Sequence, residues 1–234
     1  MLQRWDTLTV DGSDMRCHVA LPDGAGPFPG VAVAQHAGGV DEFIQSMTLR
    51  LAEAGFAAIA PDLYHRENPA AGDDAMRRMS RLRDPHIERD MAAAIAHLRT
   101  MPQVARERIG VTGFCMGGRV AYMMAARDPS LKAAVVFYGG NIMTAWGDGP
   151  APFDQSVAIA APVLGLFGSD DGNPAPDDVQ KIDAELERLG KPHEFHSYAG
   201  AGHAFMSEGR PSYRPDAAAD AWERCIAWFR HYLA

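Results

Sequence analysis

The stretch that decides the fold is GFCMGG at residues 113–118, which follows an apolar run at 109–112 and precedes a segment of helical period. A cysteine with a glycine two positions away on each side, between a strand and a helix, has the pattern of a nucleophile elbow. Glycines flank such a turn because its strained backbone leaves no room for side chains. The helix start behind Cys115 supplies backbone N–H groups and a positive dipole end, which favour a thiolate. The sequence therefore predicts that Cys115 is a nucleophile.

Short apolar runs alternate with segments of helical period along most of the chain. After a hairpin in the first twenty residues, strands are predicted at 31–34, 57–60, 109–112, 133–138, 163–167 and 194–198. This alternation predicts an α/β fold with a mostly parallel central sheet and helices on both faces. Functional residues of such a sheet follow the carboxyl ends of its strands. The segment 68–85 is polar, arginine-rich and poorly periodic, so we expect it to be irregular.

Length and composition narrow the class of protein. The chain has 234 residues, and a single domain over 1–234 is expected. A net charge of -8 argues against a general nucleic-acid binder, because phosphate contacts need clustered basic residues. The three cysteines form no CxxC pair, and we find neither an apolar leader nor a membrane-spanning run. We expect a cytoplasmic protein, monomeric or a small homo-oligomer, that acts on a small molecule and not on a membrane.

Two partners for Cys115 are expected in the order acid, then histidine. FGSDD at 167–171 follows a predicted strand, and we assign the acid to Asp170, with Asp171 as the alternative that could instead cap the turn. AGAGHAF at 199–205 follows the last predicted strand and offers His203 on a glycine-rich loop. Cys17 and Cys225 are interpreted as buried structural thiols.

These roles predict a mechanism. His203 would share or remove the thiol proton of Cys115, and Asp170 would orient the imidazole. The backbone N–H groups of Met116 and Ala37 would hold the oxyanion. No cofactor is needed, and no metal is expected because the sequence has no compact ligand spacing.

Three motifs resemble those of dienelactone hydrolases, the carboxymethylenebutenolidases: GFCMGG at 113–118, PDLY at 61–64 and AGHAF at 201–205. The resemblance covers almost the full chain. It implies an α/β-hydrolase fold, a Cys-His-Asp triad without cofactor, and hydrolysis of a lactone or another activated ester. Carried over by position, the triad is Cys115, Asp170 and His203.

The sequence departs from the family pattern in two places. A glutamate that interacts with the cysteine follows the corresponding glutamine in the family, whereas His36 follows Gln35 here. We hypothesise either that His36 stabilises the Cys115 thiolate, or that its ring is bonded to backbone away from the sulfur and orders the turn at Ala37, the oxyanion turn. The family also has an arginine for the substrate carboxylate shortly after its histidine, where Met206 and Ser207 stand here. We therefore expect weaker discrimination in favour of carboxylate-bearing lactones.

Other arginines could replace the missing one, although each is interpreted individually as a solvated surface charge. They are Arg77, Arg78, Arg81, Arg210 and Arg214. The leading hypothesis for function is a hydrolase of a small ester or lactone. A broader carboxylesterase or thioesterase and a redox-sensing thiol protein are the alternatives, and a sensor would show no ester turnover.

Overall fold

Eight strands form one sheet in the computed structural model, which describes residues 1–67 and 73–234. They are β1 (Leu2–Val10), β2 (Ser13–Leu21), β3 (Phe28–Ala34), β4 (Ala57–Pro61), β5 (Val104–Phe114), β6 (Ala133–Phe137), β7 (Val163–Gly168) and β8 (His193–Tyr198). Their order in space is β1-β2-β4-β3-β5-β6-β7-β8. The β1–β2 hairpin is antiparallel, as is the β2–β4 pair, and all other neighbours are parallel. The predicted α/β fold with a mostly parallel sheet is confirmed.

Helices cover both faces of the sheet. They are α1 (Glu42–Glu53), α2 (Ala75–Arg81), α3 (Asp84–Thr100), α4 (Met116–Arg127), α5 (Pro176–Arg188) and α6 (Pro215–Tyr232), with a short 3-10 helix at Phe153–Ala158. Alternate residues of β3 face two separate cores. Val31 and Val33 belong to the core that includes the buried residues of α1 and α6, and Ala32 and Ala34 belong to the core that includes those of α3, α4 and α5. In the described residues, no helix combines the length and the apolarity needed to cross a membrane.

The expectation that 68–85 is irregular is wrong for the part that the structure describes. Helix α2 occupies Ala75–Arg81 and α3 begins at Asp84, while 68–72 lie outside the described residues. Helix α2 buries no side chain, so no apolar stripe marks it in the sequence. Its start is fixed instead by Asp74, whose carboxylate accepts a hydrogen bond from the backbone N–H of Arg77 at 2.8 Å.

A buried ion pair ties α4, the helix behind the elbow, to α3. Arg119 is 0% exposed and donates to both carboxylate oxygens of Asp84, at 2.5 and 2.9 Å. It also donates to the carbonyls of Asn141 and Thr144, and its guanidinium carbon lies 4.1 Å from the ring centroid of Trp146. The pair therefore fixes α3, α4 and the loop after β6 to one another.

Candidate active site

Cys115 stands on a sharp turn between β5 and α4. Its φ of 60° and ψ of -121° are strained for a residue with a side chain. The backbone packs closely around this turn: a Cβ at Gly117 would overlap the carbonyl oxygen of Ala34, and one at Gly113 would overlap that of Gly117. Glycine is therefore required at these positions, which accounts for the sequence pattern from which the elbow was predicted.

The sulfur of Cys115 contacts three hydrogen-bond donors. They are the imidazole of His203 and the backbone N–H groups of Met116 and Ala37. Burial of the sulfur opposes its ionisation, but these three hydrogen bonds, helped by the charge of His203, outweigh it and lower the pKa of Cys115. The two N–H groups predicted to form an oxyanion hole therefore converge on the reactive atom.

His203 connects Cys115 to a buried carboxylate. Its Nδ1 lies 2.8 Å from Oδ2 of Asp171, which leaves Nε2 for the sulfur. Burial favours the neutral imidazole, but the hydrogen bonds with Asp171 and Cys115 raise the pKa of His203 to about 10. The ring also contacts the Tyr138 ring edge-on, with centroids 5.3 Å apart. The directions of the two pKa shifts favour a thiolate–imidazolium pair at neutral pH.

The prediction that Asp170 partners the histidine is wrong, since Asp171 occupies that position. The exposed carboxylate of Asp170 accepts a hydrogen bond from Ser169 Oγ at 2.8 Å. The backbone N–H of Asp170 donates to the carbonyl of Ala201 at 2.9 Å, and in this geometry its side chain points outward. Asp171 turns inward and also accepts from the backbone N–H of Asn173 at 2.8 Å. The carboxylate of Asp171 thus both caps the turn and contacts the imidazole, two roles that had been predicted for different residues.

For His36, the structure favours the second hypothesis, a ring bonded away from the sulfur. Nε2 of His36 lies 2.8 Å from Oδ2 of Asp41, the N-cap residue of α1. The His36 ring contacts the Phe43 ring edge-on. The partner is a carboxylate and not the backbone that was expected. Within 1–67 and 73–234, no group of three or more His, Cys, Asp or Glu residues is arranged to hold a metal ion.

A cavity of about 600 Å³ opens onto the sulfur. Cys115, His203 and Asp171 line one part of it, and Met76 and Met79 from α2 line another. The remaining lining residues include Ala37, Met116, Gly140, Asn141, Asn173 and Arg210. The cavity is large enough for a small ester or lactone. Its lining is mainly apolar, with a few polar side chains that include Asn141, Asn173 and Arg210.

The candidate arginines differ in their surroundings. Arg78 and Arg81 pair with Glu67, at 3.4 and 3.0 Å. Arg214 donates to backbone carbonyls, at distances of 2.9 to 3.0 Å. Arg210 is exposed and lines the cavity, so the interpretation as a plain surface charge fits it less well. At the family's arginine position, Met206 and Ser207 are buried.

The two other thiols are structural in their surroundings. Cys17 and Cys225 are both 0% exposed. Burial raises the pKa of Cys17 to about 12 and raises that of Cys225 further. Cys115 is therefore the thiol in this chain that is placed to react.

Two tyrosines were missed as site residues. Tyr138 directly follows β6 and packs against His203, a position after a strand that could have suggested it. Tyr64 belongs to the PDLY motif, and its hydroxyl reaches the oxyanion turn at Ala37. In the sequence, that motif served only as evidence of resemblance.

The sheet order, the elbow after β5 and the histidine loop after β8 define an α/β-hydrolase. The model of the dienelactone hydrolase family matches residues 15–233, and the chain belongs to that family. The fold and the resemblance predicted from the sequence are thereby confirmed.

Known proteins similar to this chain agree with that assignment. A Methylorubrum extorquens protein provisionally named carboxymethylenebutenolidase is 36% identical, over 91% of this chain and 75% of its own. A Bradyrhizobium protein provisionally named 2-oxo-3-(5-oxofuran-2-ylidene)propanoate lactonase is 30% identical, over 98% of this chain and 94% of its own. The crystal structure of a Klebsiella pneumoniae protein, provisionally named dienelactone hydrolase, superposes with a TM-score of 0.89 at 34% identity, covering 99% of each chain.

Proposed function

We propose that the chain hydrolyses a small ester or lactone through a thioester on Cys115, with His203 as acid and base and Asp171 orienting the imidazole. The observation that supports this most directly is the place of His203 between a buried carboxylate and the sulfur: its Nδ1 lies 2.8 Å from Asp171 Oδ2, and its imidazole lowers the pKa of Cys115. A thiolate is the nucleophilic form of cysteine, and this arrangement favours it.

The reaction follows from these positions. The Cys115 thiolate attacks the carbonyl carbon, and the carbonyl electron pair moves to the oxygen, which the N–H groups of Ala37 and Met116 hold. Collapse of the adduct breaks the ester C–O bond, and His203 gives its proton to the departing alkoxide, leaving a thioester. Water then attacks the thioester while His203 takes its proton. Loss of the thiolate gives the acid product and restores the ion pair with His203.

We further propose, in place of the weaker discrimination expected from Met206 and Ser207, that the substrate carries a carboxylate held by Arg210. This arginine lines the cavity with Cys115, and no side-chain hydrogen bond or ion pair engages it among the described residues. Charged hydrogen bonds to a guanidinium suit a carboxylate. The name of the Bradyrhizobium relative describes a lactone that bears a carboxylate, which is consistent with this choice.

The covalent intermediate provides the test. The purified protein is mixed separately with aryl esters of varied acyl length and with cis- and trans-dienelactone. Each reaction is quenched in acid within one turnover, and the mass of the intact protein is measured by mass spectrometry. We expect a mass increase that matches the acyl group of an aryl ester, or the whole molecule of a lactone because its alkoxide stays attached, located at Cys115 by peptide mapping. Cys115→Ala should show neither adduct nor turnover, whereas Cys17→Ala should show both. Undiminished turnover by Cys115→Ala would refute the mechanism.

A further inference from the structure

The hydroxyl of Tyr64 contacts both residues that supply N–H groups to the Cys115 sulfur. It donates to the carbonyl oxygen of Ala37 at 2.9 Å and lies 3.7 Å from Sδ of Met116. A hydroxyl has one proton, and the nearer carbonyl is the better acceptor, so the sulfur contact is a packing contact. Tyr64 is 1% exposed, and it follows β4.

Two hydrogen bonds on successive peptide units hold the turn that carries the Ala37 N–H. The Ala37 N–H and the His36 carbonyl belong to the same peptide unit. That carbonyl accepts a hydrogen bond from the backbone N–H of Gly39 at 3.0 Å. Because the peptide is planar, fixing the His36 carbonyl also fixes the opposite direction of the Ala37 N–H. The next peptide is fixed through its own carbonyl, that of Ala37, by Tyr64. One of the two bonds is therefore local backbone, and the other comes from a distant side chain.

We propose that Tyr64 is a positioning residue for the oxyanion hole, acting through the Ala37 carbonyl, and that Arg78 holds its ring in place. This inference rests on the proposed function, because it assigns Ala37 N–H to the oxyanion. Tyr64 itself lies outside the set of cavity-lining residues and acts through Ala37 rather than on the substrate.

Two contacts hold Tyr64, one at its ring and one at its backbone. The guanidinium carbon of Arg78 lies 4.0 Å from its centroid, a cation–π geometry. The backbone N–H of Tyr64 donates to Asp62 Oδ1 at 2.9 Å. Burial raises the pKa of Tyr64, so its hydroxyl keeps the proton that it donates. Arg78 belongs to α2, and Met76 and Met79 of that helix line the cavity. The cavity wall and the oxyanion turn thus meet at one aromatic ring.

The test compares Tyr64→Phe with Tyr122→Phe. Both remove a buried hydroxyl, but that of Tyr122 is bonded to Ser156, and neither residue lines the cavity. We expect Tyr64→Phe to lower kcat about tenfold with KM unchanged, less than the ~10²–10³ that loss of a whole oxyanion donor costs. A trifluoromethyl ketone, which forms a hemithioacetal oxyanion on the thiolate, should bind more weakly by the same factor. Tyr122→Phe should change neither quantity.

A second variant tests the role of Arg78 and guards against a folding defect in Tyr64→Phe. Arg78→Met keeps an unbranched chain over the ring without the charge, and we expect a smaller fall in kcat, again without a change in KM. Equal kcat and ketone affinity in Tyr64→Phe and wild type would overturn the proposal, as would a change confined to KM. If the wild type hydrolyses no ester, the proposed function fails first. The ketone's 19F spectrum on both proteins would then still show whether Tyr64 affects the oxyanion.

Discussion

Oδ2 of Asp171 lies 2.8 Å from Nδ1 of His203, and the aspartate side chain is 1% exposed. A buried carboxylate at this nitrogen fixes the imidazole tautomer and stabilises its protonated form. We expect Asp171→Asn to lower kcat by roughly 10²–10⁴-fold, as loss of the orienting acid does in related triads. Asp170→Asn, the matched control one residue away, should stay within about twofold of wild type because its carboxylate contacts Ser169. Steady-state kinetics on one ester would decide the assignment, and a crippled Asp170→Asn would reverse it.

Thiol ionisation should extend to lower pH than in a free cysteine. Because the pKa of Cys115 is lowered and that of His203 is raised, the thiolate should persist as pH falls below about 8.5, the ordinary thiol value. The rate of iodoacetamide labelling should therefore be high at neutral pH. In His203→Gln the protonated partner is lost while the sulfur stays buried, so the profile should move to higher pH.

Native labelling has an internal control in the other two thiols. Cys115→Ala should not be labelled in the folded state, because Cys17 and Cys225 are buried. A profile for His203→Gln that coincides with that of the wild type would show that the imidazole does not set the ionisation of the sulfur.

His36 should have no electrostatic effect on the nucleophile. Its Nε2 is bonded to Asp41, and the hydrogen bonds to the sulfur come from His203, Met116 and Ala37. We expect the labelling profile of His36→Ala to superimpose on that of the wild type. The same measurement on His203→Gln supplies the positive control. A shift of the His36→Ala profile to higher pH would restore the hypothesis that His36 stabilises the thiolate.

Arg210 should determine the preference for charged substrates. A charged hydrogen bond contributes about 1.5–3 kcal/mol, so Arg210→Met should lower kcat/KM for dienelactone about ten- to a hundredfold. Turnover of a neutral acetate ester should change by less than about twofold. Arg81→Met is the control, since Arg81 is engaged by Glu67 and Asp73. Equal losses for both substrates, or a selective loss in Arg81→Met, would place the carboxylate elsewhere.

Removal of one partner of the buried Arg119–Asp84 pair should lower the free energy of unfolding strongly. Arg119→Met leaves the Asp84 carboxylate buried without its cation, which costs roughly 3–5 kcal/mol in the free energy of unfolding. The double variant Arg119→Met/Asp84→Leu should recover part of that loss. Lys181→Met, which breaks an exposed pair with Asp178, should cost less than about 1 kcal/mol. Urea titrations of these proteins and of the single variant Asp84→Leu measure the effects, and a double variant whose loss equals the sum of the two single losses would argue against coupling.

The sequence predicted the sheet, the elbow and the histidine loop because each depends on a local pattern. The glycines around Cys115 indicate the close backbone packing that occurs wherever such an elbow forms. The apolar runs that became β3 and β7 report burial on both faces of a parallel sheet. These signals require no knowledge of distant parts of the chain.

The choice between Asp170 and Asp171 could not be made in this way. Both follow β7, and the inward direction of Asp171 depends on the bond from Asp170 N to the Ala201 carbonyl, more than 30 residues along the chain. Helix α2 was not predicted, because it has no apolar stripe. A cap and ion pairs to Glu67 and Asp73 hold it instead. Polar contacts of this kind, whether near or distant in the chain, leave no periodic trace in a sequence.

The crowded backbone at Gly113 and Gly117 constrains how this enzyme can change. The side chain of Cys115 projects into the cavity, so a different nucleophile such as serine fits the same turn. Any side chain at either glycine would instead collide with a main-chain carbonyl that cannot move without displacing β3 or α4. A saturation-mutagenesis library should therefore yield folded proteins with altered chemistry from position 115 and almost none from positions 113 and 117. In proteins that descend from this one, selection can therefore change the nucleophile at position 115, whereas the glycines at positions 113 and 117 stay the same.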